Sequence, residues 1–183
     1  MRRGELCGLR WSDVDLTKGV VRAERSCVQI GKDVVTNDTT KNGTVRRVSI
    51  DKATVALLKE LRKAHAAERL ATGGGWGNDE DLVFVWPDGT RVLPDFLTKR
   101  FVDEQAGVEV AEGEKPLPRL RLHDLRHTHA NTLLRAGVPV HILSRRLGHK
   151  NVEMTWNTHA DVIPDDDATA SDVYAALLAK TAR

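Results

Sequence analysis

The sequence predicts an α+β domain, mostly helical, with one small three-stranded antiparallel sheet in its first third. Three observations carry this. Within residues 14–50, β-branched and polar residues alternate in the runs Val20–Ile30, Lys32–Thr36 and Val45–Ile50, punctuated by Gly31 and by Lys41-Asn42-Gly43. From Asp51 onward, apolar residues recur instead at helical spacing in several segments. The chain has 183 residues, 40% hydrophobic and 30% charged, an ordinary balance for one domain able to bury a core.

The elements follow in order. Glu5 to Trp11 reads as a short helix, with Leu6 and Leu9 at helical spacing, and Asp13 to Asp15 turns the chain into the three predicted strands. Asp51 is a good N-cap for a helix whose face is marked by Val55, Leu58 and Leu61 and which reaches about Leu70. The run Thr72 to Gly77 breaks it, and Leu82–Trp86 is a short apolar strand ended by Pro87-Asp88-Gly89. Pro94 opens a helix to about Gln105, and residues 106–118 form a loop. Leu122 to Ala136 is a helix stopped by Gly137, and Pro139 starts the next one, through Leu147, stopped by Gly148. Asn151 caps a segment to about Thr158, and Ala170–Ala182 is an amphipathic terminal helix carrying Val173, Leu177 and Leu178.

Composition narrows the function classes. Aromatics are only 4%, so the core is expected to be aliphatic, with Trp11 and Trp86 packing the small sheet. No window approaches 18 consecutive apolar residues, so no transmembrane helix and no membrane partner is expected. Cys7 and Cys27 match no disulfide or metal framework, and a reducing cytoplasm is the expected compartment. Net charge is only +2, but it is blocked: residues 1–50 and 91–150 each carry +4, against −2 for 51–90 and −4 for 151–183. Basic blocks folded onto one face would bind a polyanion; scattered, they are solvated surface.

Four places offer chemistry. In the stretch RLHDLRHTHA, His123 and Arg126 are three apart at a helix start and share a face. They pair a proton carrier with a forked cation suited to phosphate oxygens. In RRLGHKN, His149 follows a helix-ending glycine. Arg2 precedes Glu5 by three residues, and Lys41 tips the hairpin TTKNGTVRR. Singly, each has a plain reading: a solvated arginine, a turn lysine, a capping histidine. Their order along the chain is the signal.

That order resembles the tyrosine recombinase family of the phage integrase type. The residues carrying the resemblance are Arg2-Arg3-Gly4-Glu5-Leu6, Leu9-Arg10-Trp11-Ser12-Asp13-Val14-Asp15, Thr40-Lys41-Asn42-Gly43, Arg46-Arg47-Val48-Ser49-Ile50, Leu122-His123-Asp124-Leu125-Arg126-His127-Thr128 and Leu147-Gly148-His149. The resemblance implies a catalytic domain over residues 1–183 that breaks and rejoins DNA strands by transesterification, with no metal and no other cofactor. Arg2 and Arg126 would clamp the nonbridging oxygens, His149 would hydrogen-bond one of them, Lys41 would protonate the departing 5′ oxygen and His123 would assist the nucleophile's proton. Glu5 would hold the arginine face in place. Arg46, Arg47, Arg145, Arg146 and Lys150 would contact backbone phosphates, and His127 and His129 would cap or pack. The implied partner is double-stranded DNA in the nucleoid. The tail, residues 164–183, resembles the helix that family members exchange between protomers, so a homo-oligomer on DNA is expected.

The sequence departs from the family pattern twice. Where the family has its tyrosine nucleophile, ten residues beyond His149, this chain has His159, and its single tyrosine is Tyr174 in the tail. A histidine can in principle form a phosphoramidate, but a site that binds and polarises a phosphate while cleaving poorly is the expectation. Family members also carry a DNA-clamping domain and one or two helices ahead of the first catalytic arginine. Here Met1 abuts Arg2, so the domain is expected to be N-terminally truncated and to bind DNA more weakly. Two alternatives stay open: a DNA-binding remnant without catalysis, and a zinc hydrolase in which His123 and His127 stand in for the two histidines of H-E-x-x-H, with Asp124 in place of the glutamate.

Overall fold

The computed structural model describes residues 1–31, 33–37, 45–111, 113–116 and 118–159. Helix α1 (Arg3–Cys7) and a 3-10 turn at Trp11–Asp13 lead into strands β1 (Val14–Asp15), β2 (Val20–Ala23), β3 (Ser26–Ile30), β4 (Asp33–Asn37) and β5 (Arg46–Ser49). Helices α2 (Lys52–Thr72), α3 (Pro94–Ala106), α4 (Asp124–Arg135), α5 (Val140–Leu147) and α6 (Val152–His159) follow. The predicted architecture, a mostly helical α+β domain with a small three-stranded antiparallel sheet, is the one observed.

The sheet's membership differs from the three predicted runs taken in order. Its order is β1-β2-β5, with Val21 opposite both Val14 and Val48, while β3 and β4 form a separate hairpin. The run Val20–Ile30 is therefore two strands. They part at Glu24-Arg25, where Arg25 Nη1 reaches back to both carboxylate oxygens of the buried Asp13 at 2.9 and 2.7 Å. That ion pair turns the chain out of the sheet, and β1 takes the edge that the hairpin leaves.

The first helix is shorter than predicted for a similar reason. Leu9 to Trp11 pair with a distant segment rather than continuing the helix: Trp11 N donates to Asp81 O (2.9 Å) and Val83 N to Leu9 O (2.8 Å). The predicted strand Leu82–Trp86 is reduced to isolated bridges, Leu82 to Arg10 and Val85 to Arg91. Helix α1 instead packs on β3, and Gly4 permits the approach, because a Cβ there would collide with the Cys27 carbonyl.

Two buried clusters hold the domain. Leu9, Trp11, Val14, Val21, Leu58 and Val83 join the sheet to α2, and Ala130, Leu134, Leu143 and Leu147 join α4 to α5. Both are largely aliphatic, as the composition implies. Trp11 packs with the sheet as expected. Trp86 does not: it is half exposed and meets Phe96 of α3 edge-on at 4.5 Å. The α2 start is capped as predicted, Asp51 Oδ1 accepting from Thr54 N at 3.0 Å. Helix α5 ends on Gly148 in the left-handed region (φ 69°), which favours glycine. Among the described residues no helix is long and apolar enough to cross a membrane. Lys41, Tyr174 and the tail 164–183 lie outside the described residues.

Candidate active site

The site starts from one buried carboxylate. Arg2 is the N-cap of α1, and Glu5, three residues on, folds back onto it: Arg2 N donates to Glu5 Oε2 at 2.6 Å and Arg2 Nη1 to Glu5 Oε1 at 3.1 Å. Glu5 is only 2% exposed. A carboxylate so buried needs a full partner, and β5 supplies it. Arg46 Nη1 donates to Glu5 Oε1 at 2.8 Å and Arg46 Nη2 to Glu5 Oε2, a bidentate pair. Burial pushes the Glu5 acid up, but the Arg46 hydrogen bonds, the Arg2 backbone N–H and the two guanidinium charges outweigh it and hold the group down at about 2.

The end of α5 supplies the second anchor. Its last carbonyls have no helical partner, and they carry the negative end of the helix dipole. Arg126, from the first turn of α4, donates Nη2 to Leu147 O, and Arg2 donates Nη2 to Gly148 O at 3.1 Å. Two guanidiniums from distant parts of the chain, α1 and α4, are thus held on adjacent carbonyls. Burial, and then the positive charges of Arg2 and Arg46, push Arg126 down to about 10. One carboxylate, Glu5, is shared by a cluster of three cations, which leaves the cluster short of negative charge and suited to an anion.

Beside these guanidiniums lies a cavity of about 680 Å³, lined among others by Arg2, His123, Arg126, His129 and Arg146. Burial, then the neighbouring His127 and Arg126, lower the His123 pKa. The His123 and His127 rings meet edge-to-face at 5.1 Å. His149, just past Gly148, shares a 2.6 Å hydrogen bond through Nδ1 with Oγ1 of Thr155, a fully buried residue of α6, which fixes its ring relative to the α5 terminus. His159 is the last residue of α6, and its side chain lies outside the described residues.

The expected phosphate contacts divide. Arg46 is not on the surface: it is 7% exposed and committed to Glu5 and, through Nε at 3.2 Å, to Arg146 O. Arg47, the next residue along β5, is exposed and points to the other face of the sheet, where with Arg22 and Arg62 it lines a separate groove. Arg145 and Lys150 are exposed. Arg146 lines the cavity, donating Nε to His129 Nε2 at 3.1 Å and Nη1 to Ser49 O at 3.0 Å. His129, expected to cap or pack, therefore belongs to the cavity wall. The signal was present in the sequence, since His129 lies three residues after Arg126 and on the same helical face. Among the described residues no three His, Cys, Asp or Glu side chains gather as a metal-binding group, so the zinc reading of His123 and His127 gains no third ligand there.

Comparisons with known proteins identify the family and the fold. A model of the phage integrase family matches residues 1–164. The chain is similar to a tyrosine recombinase XerC-like protein of Caldanaerobacter subterraneus subsp. tengcongensis, at 32% identity over 93% of this chain and 44% of that one. It is also similar to the ICEBs1 integrase of Bacillus subtilis, at 28% identity over 97% of this chain and 46% of that one. The chain spans less than half the length of these curated relatives. Among solved structures, it superposes on the Tn1549 transposon integrase in complex with transposon right end DNA with a TM-score of 0.71, at 20% identity over 97% of this chain and 55% of that chain. It superposes on XerA recombinase with a TM-score of 0.62, at 24% identity over 93% and 51%. At these identities the superpositions establish the fold.

Proposed function

The chain belongs to the phage integrase family, and from that premise we propose that it is a site-specific recombinase catalytic domain whose pocket binds and polarises one DNA phosphodiester but carries histidine in place of the nucleophile. The observation that supports this reading above all is the pair of guanidiniums, Arg2 and Arg126, fixed on the adjacent carbonyls of Gly148 and Leu147 beside a cavity that His123 lines. Preorganised cations of this kind stabilise the charge that develops on nonbridging phosphate oxygens, and they act without a metal.

In the proposed reaction the nucleophile's oxygen attacks phosphorus in line. The new P–O bond forms as the bond to the 5′ oxygen breaks. Arg2 and Arg126 hold the nonbridging oxygens and His149 donates to one of them. Lys41 delivers the proton that the departing 5′ oxygen needs, and His123 takes the nucleophile's proton. The depressed pKa of His123 suits the last role, since it keeps the imidazole neutral and able to accept near neutral pH. With His159 at the nucleophile's position there is no phenol to attack, so the chain as it stands binds DNA and leaves it intact. Residues 164–183 are proposed to dock on a neighbouring protomer on DNA.

Covalent trapping tests this reading. A nicked suicide duplex is expected to give no protein–DNA adduct with the natural chain and an adduct with His159→Tyr. An adduct with the natural chain would show that a nucleophile is present after all. A His159→Tyr variant that binds duplex and yields no adduct would place the defect outside the nucleophile and support the alternative of a DNA-binding remnant, which the histidine at position 159 already favours over an intact enzyme.

A further inference from the structure

We infer that Arg46 is a positioning residue for this site, one that never meets DNA but sets both catalytic guanidiniums through Glu5 and the α5 terminus; the inference rests on the function proposed above. Three observations carry it. First, the Arg46 guanidinium is spent inside the protein: Nη1 and Nη2 on the two Glu5 oxygens, Nε on Arg146 O. Second, Glu5 is the same carboxylate that receives Arg2 N and Arg2 Nη1, so the position of Arg46 fixes the position of Arg2 from one side. Third, Arg46 also fixes it from the other. A Cβ built on Gly148 would lie 3.0 Å from Arg46 Cδ and 3.0 Å from Nη1, so the turn after α5 rests directly on the arginine. The Gly148 carbonyl takes Arg2 Nη2, and the Leu147 carbonyl before it takes Arg126 Nη2. Moving Arg46 therefore moves both clamps.

Chemistry makes the arginine specific. A lysine carries the same charge but presents one nitrogen, which cannot form a fork with Glu5 and reach the Arg146 carbonyl together. A residue acting by charge alone would tolerate that exchange, and a residue acting by geometry would not. Glycine at 148 belongs to the same device: its φ of 69° disfavours a side chain, and a Cβ there would press on Arg46 at 3.0 Å.

The test uses the full chain and a short mixed-sequence DNA duplex. In the natural protein, side-chain NMR should show the Arg46 guanidinium protons exchanging with water far more slowly than those of Arg47. Equal rates would overturn the inference without any variant. Arg46→Lys should keep its helix content, shift the Nε–Hε signals of Arg2 and Arg126, and weaken duplex binding about tenfold, the cost of removing a charge-assisted hydrogen bond. Gly148→Ala, which presses on Arg46 from outside, should shift the same two signals. Should Arg46→Lys fold with the Arg2 and Arg126 signals unmoved, Arg46 is not a positioning residue. If the natural chain binds no DNA, the proposed function fails, while the arginine signals still decide the role of Arg46.

Discussion

Glu5 shows how much one side chain can organise here. It is buried, it anchors Arg2 and Arg46, and its pKa is held near 2. A depressed carboxylate pKa contributes stability that is fully present above the unfolded value, near 4.5, and is lost as pH falls through the folded value. Glu5→Gln keeps the shape and removes the charge, leaving Arg46 buried without a counterion. A loss of about 3–5 kcal/mol at pH 7 is expected by urea unfolding, the scale for breaking a buried pair. The difference between the natural chain and the variant should then shrink as pH is lowered from about 4.5 toward 2; a gap that stays constant over that range would show that the fold does not depress the Glu5 pKa. At the same scale, His149→Phe keeps a ring but cannot bond Thr155 Oγ1. In the His159→Tyr background it should lower the cleavage rate about a hundredfold with little effect on duplex affinity, because oxyanion donors act chiefly in the transition state.

Among the elements, α5 decides the site. Its last carbonyls hold both arginines, and its inner face, through Leu143 and Leu147, packs on Ala130 and Leu134 of α4. Leu143 is fully buried, so Leu143→Ala should cost about 2–5 kcal/mol in denaturant unfolding. It should also weaken duplex binding although Leu143 touches no candidate ligand, because α5 carries the carbonyls that orient the guanidiniums. Asp51→Ala offers the contrast. It removes the cap of α2 and should cost about 1 kcal/mol while leaving duplex affinity unchanged, since α2 packs on the sheet and supplies nothing to the cavity. The start signals of α2 and the ends of α4 and α5 were legible in the sequence because a cap and the helix it caps are only a few residues apart. The strand order was not. Whether β2 pairs with β3 or β5 depends on the Asp13–Arg25 ion pair and on competition among several β-branched runs, and no local pattern ranks those outcomes.

For the whole molecule, the blocked charge becomes a surface with two sides. Arg2, Arg126 and Arg146 line one cavity, while Arg47 lies with Arg22 and Arg62 on the opposite face of the sheet. Duplex affinity should fall steeply with salt, and Arg126→Ala should lower the slope of log affinity against log salt by about 1, as expected when one phosphate fewer is neutralised. The order of motifs along the chain determined the family and four of the candidate side chains here described, Arg2, His123, Arg126 and His149. It also determined that histidine stands at position 159, since identity and spacing are properties of the sequence itself. Only the tertiary structure decided that Arg46 is buried rather than exposed, that His129 lines the cavity, and that the Leu147 and Gly148 carbonyls hold Arg126 and Arg2. The bonds responsible join residues 17, 21, 41, 100 and 146 positions apart. Such contacts form only after distant segments have packed, and local propensity carries no record of which segment will arrive.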